Sequence, residues 1–397
     1  MWVSPLRKYL YRWLLAVLIF SVEKATISQG RWSDVLEPAY DEEVALETVK
    51  LTQIAYCTVE LIDWACTGCR NFPGMRNVTL LDGERRNIRG FIGVDLGVKR
   101  KVAAAYQYAT STLDFDQKAS QDYPVKRAVV ADPDTLRGYQ RDASRGRDNA
   151  PRPRIVIAFA GTDPLSIQNI LDDIEVAAID QEYGGECEKC KVHEGFVASY
   201  KLIEEQIRGT VALHLRRNPT ADVLITGHSL GAALATLCLL NLRVTLDAKL
   251  SFAPLYIYGS PRVGNAAFAT YSASVGVPIF RVVHHRDPVP HIPFKTWGYV
   301  HPPREVFYDD SMTSYVVCDG SGEDPTCSYR FFFAVDVFAV RDHLTYLEVD
   351  YTLSYLQCLL LDAGEGRSNN EEEEVLEAAK AVTMPRLGEG GPRLRVK

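Results

Sequence analysis

ITGHSLGAALA, residues Ile225–Ala235, runs from two β-branched residues into a glycine, a His-Ser pair and a second glycine, then into small helix formers. The apolar run DVLITG around its start predicts a buried strand, and LGAALATLCLLNLRV at its end predicts a helix. A serine between two glycines at that junction sits in a sharp turn that pushes its hydroxyl outward. Gly227 and Gly231 let strand and helix pass close together because neither carries a Cβ. The start of the helix also aims backbone N–H groups at any anion that develops beside Ser229. In a strand–turn–helix setting, G-x-S-x-G is a nucleophile elbow with Ser229 as the attacking residue.

Working outward, RIVIAFAG upstream and LYIYGS, IFRVVHH and VFY downstream read as further strands, the first of them apolar on both faces. GFVASYKLIEEQIRGTVALHLRR has helical spacing, as has DEEVALETVKLTQIAYCTVELIDW from Asp41 to Trp64. RGFIGVD and KRKVAAAYQY read as an antiparallel hairpin. Buried strands alternating with helices predict an α/β fold of the α/β-hydrolase kind: a predominantly parallel central sheet, helices on both faces, one domain over 35–362. Residues 111–154 are rich in Asp, Arg, Pro and Ser without a period and read as an exposed polar insertion. Residues 363–397, with NNEEEE, read as an acidic, disordered tail.

The chain has 397 residues, 47% hydrophobic and 24% charged, which suits a protein with a sizeable core. A net charge of −7 without a basic stripe argues against a nucleic-acid partner. Arg7, Lys8 and Arg12 precede an apolar run from Trp13 to Val22, the layout of a secretory signal peptide over residues 1–28. The run is about 10 residues, too short for a bilayer span of about 20, although uncleaved it would serve as an anchor. Secretion permits disulfides. Of nine cysteines, Cys238 lies in an apolar helical run and reads as a free core thiol, leaving an even number for bridges. The pairs CTGC (Cys66, Cys69) and CEKC (Cys187, Cys190) are too far apart, and too poor in ligand-spaced histidines, for a zinc site. Asn77-Val78-Thr79 is a glycosylation sequon, with Asn77 as acceptor.

Serine is a weak nucleophile at neutral pH. It needs a histidine to take its proton and a carboxylate to fix that histidine's tautomer, in the order Ser, acid, His along this fold. Asp287, in IFRVVHHRDPVPHIP, stands just past a strand, where the acid belongs. His284 and His285 precede it and read as strand residues. His343, in VRDHLTYL, is the base by order, with His301 as the fallback. A metal cluster of His284, His285, Asp287 and His291 is a weaker alternative. The oxyanion needs two N–H donors; Leu230 supplies one and Thr162, in IAFAGTD, the other.

IAFAGTD, SIQNILDDI, CKVHEGFVASY, ITGHSLGAALA, YGSPRVGN, RVVHHRDPVPHIP, EDPTCS and DHLTYL occur in one order between about Ala45 and Leu361. Together they resemble the class 3 lipase family of filamentous-fungal type. The resemblance implies Ser229 as nucleophile, Asp287 as acid, His343 as base, and Thr162 with Leu230 as the oxyanion hole. It also implies disulfides Cys57–Cys358, Cys66–Cys69 and Cys318–Cys327, with Cys187–Cys190 as an additional pair. The long loop closed by the first would contribute roughly 4–5 kcal/mol in the chain-entropy picture. PLSIQNILDDIEV resembles a lid whose Leu165, Ile167, Ile170, Leu171 and Ile174 form an apolar face for lipid; the plainer reading is an amphipathic helix fixed on the core. Asp173 matches a carboxylate that hydrogen-bonds the Thr162 hydroxyl. Ala160, Ile170 and Ala232 depart from the family's arginine, lid tryptophan and glycine.

The expected function is therefore a secreted serine ester hydrolase, a triacylglycerol or acylglycerol lipase working through an acyl-enzyme. Its substrate would be a lipid or other ester at an oil–water or membrane interface, with no metal or other cofactor and no obligate protein partner. A phospholipase or a feruloyl-type esterase is the alternative. From another class comes a non-catalytic lipid-binding homologue, against which the intact Ser, Asp and His set speaks.

Overall fold

In the computed structural model, residues 39–362 are described except 58–60, 62, 84–87, 98–151, 168–176, 182, 247–249 and 332–338. The first helix, α1 (Glu42–Ile54), is capped by Asp41, whose carboxylate accepts the N–H groups of Glu43 and Val44 at 3.0 and 3.3 Å. The cap satisfies donors that the first turn leaves unpaired. The helix stops at Ile54, well short of Trp64. The chain turns at residues 55–56, which brings Tyr56 and Cys57 into the core out of helical register.

Two strands follow, β1 (Met75–Gly83) and β2 (Ile88–Asp95), paired antiparallel. The expected partner of β2, KRKVAAAYQY, lies outside the described residues; β2 pairs instead with β1 and with β3 (Arg154–Phe159). Arg154 is thus a strand residue and not the end of the polar insertion. Its guanidinium meets Glu47 at 2.5 Å and Asp95 at 2.7 Å. Short strands β4 (Ala178–Asp180) and β5 (Lys191–His193) lead into α2 (Glu194–Arg217), then β6 (Asp222–His228) and α3 (Leu230–Thr245). Next come β7 (Leu255–Tyr258), β8 (Gly264–Asn265), α4 (Ala266–Ser274) and β9 (Ile279–His284). The chain continues through β10 (Tyr299–Val300), β11 (Glu305–Tyr308), β12 (Tyr315–Val317) and α5 (Val340–Leu344). A small hairpin, β13 (Thr345–Tyr346) and β14 (Val349–Asp350), precedes α6 (Tyr351–Asp362).

The main sheet has the order β1-β2-β3-β6-β7-β9-β11-β12. Its middle strands, β3 through β11, are parallel, and β1, β2 and β12 add antiparallel edges. Successive side chains point to opposite faces. Ile155, Ile157 and Phe159 pack with α2 and α3, whereas Val156 and Ala158 pack with α1 and α6. This two-faced burial is what the continuous apolar runs predict, and the fold is the expected α/β-hydrolase arrangement. A smaller antiparallel sheet has the order β10-β8-β5-β4.

Strand register decides where chemistry can sit. Phe159 pairs with Gly227, His228 with Tyr258, and Tyr258 with Val282. The carboxyl ends of β3, β6, β7 and β9 therefore lie side by side, and the loops leaving them share one edge. Bridges join Cys57–Cys358, Cys66–Cys69, Cys187–Cys190 and Cys318–Cys327, and Cys238 is a buried free thiol. Among the described residues no helix is long and apolar enough to cross a membrane. The N-terminal segment 1–38, the insertion up to residue 151 and the tail from 363 lie outside the described residues.

Candidate active site

Ser229 occupies the turn between β6 and α3 with φ 57° and ψ −128°. Such a backbone costs a non-glycine residue about 1–3 kcal/mol. Neighbours hold it: its N–H donates to the Tyr258 carbonyl at 2.9 Å, and its carbonyl accepts the Ala232 N–H at 2.9 Å. A Cβ on Gly227 would lie 2.1 Å from the Gly231 oxygen, and one on Gly231 would lie 2.4 Å from the Ala160 oxygen. Strand β6, helix α3 and the loop after β3 thus meet backbone to backbone, which explains the glycine spacing in the sequence.

Asp287 follows β9, and His343 lies in α5; both are fully buried. His343 Nδ1 is 3.0 and 2.9 Å from the two carboxylate oxygens. The Val289 N–H reaches Oδ1 at 2.8 Å, and the Tyr346 hydroxyl donates to Oδ2. Burial and the adjacent carboxylate push that hydroxyl well above the ordinary tyrosine range, so it remains a donor. Holding Nδ1 as the donor leaves Nε2 with the lone pair. Nε2 has no hydrogen-bond partner among the described residues, so no bond from Ser229 to the ring is formed in this state. The ring nevertheless lies beside the elbow, its centroid 4.6 Å from that of His228. Gly259, after β7, leaves the space: a Cβ there would meet Asp287 Oδ2 at 2.7 Å and His343 Nδ1 at 2.9 Å.

Leu230 opens α3, and Thr162 lies in the loop after β3, partly exposed. Asp163 pins that loop: its Oδ1 accepts the Leu165 N–H at 2.8 Å and its Oδ2 the Tyr355 hydroxyl at 2.9 Å. Leu165 is 53% exposed, whereas Ile167 is buried among α1 and α6 residues and not on an open apolar face. Ile170, Leu171, Asp173 and Ile174 lie outside the described residues. Asn77 is exposed on β1, with φ 52°.

The other candidate histidines lie away from this pair. His301 Nε2 donates to the Pro290 carbonyl at 2.8 Å, and burial holds its ring well below the usual range. Burial pulls His291 down to about 4. The suggested metal cluster does not assemble. His284 turns Nδ1 to the carbonyls of Asp342 and Thr345 and Nε2 to that of Asp310, while Asp287 is occupied by His343. Spacing alone missed Tyr346, Tyr56 and His228. The one hint was a tyrosine three residues past the histidine in DHLTY.

Residues 156–297 match the model of the class 3 lipase family. A lipase of Rhizomucor miehei is 34% identical over 215 residues, 53% of this chain and 56% of that protein. Secreted mono- and diacylglycerol lipase A of Penicillium cyclopium is 40% identical over 147 residues, 37% of this chain and 45% of its own length. The chain thus spans about half the length of the curated relatives it matches. A solved Rhizomucor miehei triacylglyceride lipase superposes with TM-score 0.57 at 25% identity, covering 80% of this chain and 99% of that one. A solved triacylglycerol lipase described as having a serine protease triad at its catalytic centre gives 0.58 at 25% identity, covering 80% and 99%.

Proposed function

We propose that this chain, residues 156–297 of which match the class 3 lipase family, is a member of that family and a serine ester hydrolase that cleaves acylglycerols at a lipid–water interface. The observation that carries the reading is the buried Asp287–His343 pair lying beside the Ser229 elbow. A small rotation that brings Ser229 Oγ to His343 Nε2 lets the ring take the hydroxyl proton as Oγ attacks the ester carbonyl. The oxyanion then faces the N–H groups of Thr162 and Leu230, the latter at the positive end of a 16-residue helix. His343 returns the proton to the departing glycerol oxygen, leaving an acyl-enzyme on Ser229. Water, deprotonated by the same ring, attacks the acyl carbonyl; the bond to Ser229 Oγ breaks, the fatty acid leaves, and His343 returns the proton to Oγ. Asp287 holds the tautomer throughout, and its three donors keep it fixed without solvent.

Export from the cell, glycosylation at Asn77 and lipid contact through Leu165 belong to the same proposal. The relatives named as secreted lipases and the exposure of Leu165 and Asn77 support them. A fluorophosphonate probe on the intact protein, paired with Ser229→Ala, tests the chemistry: labelling lost in the variant is expected, and equal labelling of both overturns it. Tributyrin, a long-chain triglyceride, a phospholipid and a feruloyl ester, assayed below and above interface formation, test the substrate. Preference for the phenolic ester with no rise at the interface defeats the lipase assignment.

A further inference from the structure

Two further polar side chains near Ser229 are buried. Tyr56, just past α1, is 2% exposed, and His228, the last residue of β6, is fully buried. The Tyr56 hydroxyl lies 2.7 Å from His228 Nδ1. His228 Nε2 lies 2.8 Å from the backbone oxygen of His343. A carbonyl only accepts, so Nε2 carries the proton and Nδ1 accepts from the tyrosine. Burial holds the His228 ring well below the usual range, with the neighbouring His343 ring adding to the effect, so one N–H and one lone pair is its state. On its other side the Tyr56 oxygen lies against the backbone of Gly161, which lowers the hydroxyl's pKa against the rise that burial causes. Gly161 is pressed between the parts: a Cβ there would meet Tyr56 Oη at 2.5 Å, Ser229 Cβ at 2.6 Å and the His228 carbonyl at 2.9 Å.

The direction of both histidine bonds is therefore fixed, Tyr56 O–H to His228 Nδ1 and His228 Nε2–H to the His343 carbonyl, while the Tyr56 oxygen is packed against Gly161. The chain starts one residue before Thr162 and ends on the backbone of the base. Its members are clamped from outside. Tyr351 stacks on the His228 ring at 3.8 Å and 15°, and its hydroxyl is 2.8 Å from Thr52 Oγ1. Cys57, next to Tyr56, is bonded to Cys358 of α6.

The geometry points to Tyr56 and His228 as positioning residues that set the distance between the oxyanion loop and the base. This rests on the ester-hydrolase reading above. The loop after β3 and helix α5 come from distant parts of the chain, and among the described residues this is the side-chain route that joins their backbones through the elbow. Neither residue meets the substrate; each acts through Gly161–Thr162 or through His343. Interactions of this kind govern the transition state more than ground-state binding, because the oxyanion and the transferred proton exist only there.

The test uses Tyr56→Phe, His228→Asn and His228→Gln in the full chain, with tributyrin hydrolysis and an alkylboronic acid, whose boron takes up the serine oxygen as a tetrahedral adduct. Tyr56→Phe breaks both halves of the chain. His228→Asn can keep the tyrosine contact and loses the one to His343, and His228→Gln can do the reverse. At a temperature well below melting, we expect kcat to fall about 10- to 100-fold in Tyr56→Phe with KM within about twofold, the range that sub-ångström misplacement produces. Boronic acid affinity should fall in parallel, and each His228 variant should lose part of the effect of Tyr56→Phe. Tyr271→Phe, which removes a hydroxyl bonded to Glu186 on the opposite face of the sheet, should lower the melting temperature and leave kcat and boronate affinity alone. Unchanged kcat and boronate affinity in folded Tyr56→Phe overturns the inference, as does a loss confined to melting temperature. If Tyr56→Phe does not fold, the two His228 variants decide by the same readouts. Wild-type protein that neither hydrolyses tributyrin nor binds the probe overturns the hydrolase reading and this inference together; an active wild type with indifferent variants overturns the inference alone.

Discussion

Gly231→Ala sets two effects of opposite sign against each other. Gly231 lies in the first turn of α3, where alanine normally favours a helix by about 1 kcal/mol over glycine. Its new Cβ, however, would sit 2.4 Å from the Ala160 oxygen and 2.5 Å from the Phe159 oxygen, both backbone atoms at the end of β3. Contacts of this kind stay beyond about 3.0 Å, so the gap of 2.4 Å must open by at least 0.6 Å. Overpacking of this sort costs about 1–3 kcal/mol, which exceeds the helix gain. The displaced segments are the two that carry the proposed oxyanion donors, Leu230 at the head of α3 and Thr162 past β3. Misplacement approaching 1 Å costs about 100-fold in rate, and complete loss of one donor about 2.7–4 kcal/mol. We expect kcat to fall about 100-fold, KM to change little, and the melting temperature to drop by a few degrees. Kinetics on a soluble short-chain ester with a thermal melt on the same samples make the measurement. A variant with wild-type kcat and an equal or higher melting temperature would show that helix propensity outweighs the contact, and the account of the elbow glycines would be wrong.

Asp287→Asn should leave the fold intact and lower kcat by about 10⁴-fold, because an amide can hold the wrong tautomer of His343; a loss under tenfold contradicts the role given to Asp287. Tyr346→Phe removes one of three donors to the buried carboxylate and should cost about 1.5–3 kcal/mol by denaturant titration, with little effect expected only if water replaces the hydroxyl. Replacing Cys57 and Cys358 together by serine opens a loop spanning 301 positions and should lower stability by about 2–5 kcal/mol, read as an earlier urea midpoint. Burial lowers His291 from 6.5 to about 4 and takes His228 and His301 well below their usual range. Between those values the unfolded chain binds protons that the folded rings refuse. Stability is thus full above pH 6.5 and declines as pH falls towards 4, by about 3 kcal/mol for His291 alone. His291→Phe should flatten a plot of melting temperature against pH over that window, and an unaltered slope counts against the assignment.

What could be read in the sequence was local. The elbow was legible because a strand, a turn and a helix each leave a signature within a few residues, and close approach leaves glycines at Gly227 and Gly231. The parallel strands were legible because burial on both faces writes continuous apolar runs. Strand β1 was not, since MRNVTLLDG carries Arg76, Asn77 and Asp82 and its register shifts between Arg76 and Thr79, so the period of two is broken. Helix α1 was overextended because apolar residues past Ile54 kept a helical spacing while serving several directions at once.

The partners of the acid–base pair lay beyond local reading for a different reason. Tyr56 and His228 are 172 positions apart and His228 and His343 are 115 apart, and neither separation leaves a mark on its neighbours in sequence. Their residue types carry little information either, since a buried tyrosine or histidine has many ordinary uses. Strand register puts His228 at the level where β3, β6, β7 and β9 end, and the segments after α1 and in α5 pack onto that edge with Tyr56 and His343, where polar groups share a small volume. Apart from His343 Nε2, which faces the elbow without a partner, the polar atoms of Tyr56, His228 and Asp287 there are hydrogen-bonded, and a lost partner costs about 1–3 kcal/mol. The elbow glycines make the close approach possible, and the close approach in turn makes the polar network obligatory. A serine hydroxyl beside a correctly oriented imidazole is then a consequence of packing as much as of chemistry, and the network around Asp287 and His228 is where sequence change should be least forgiving.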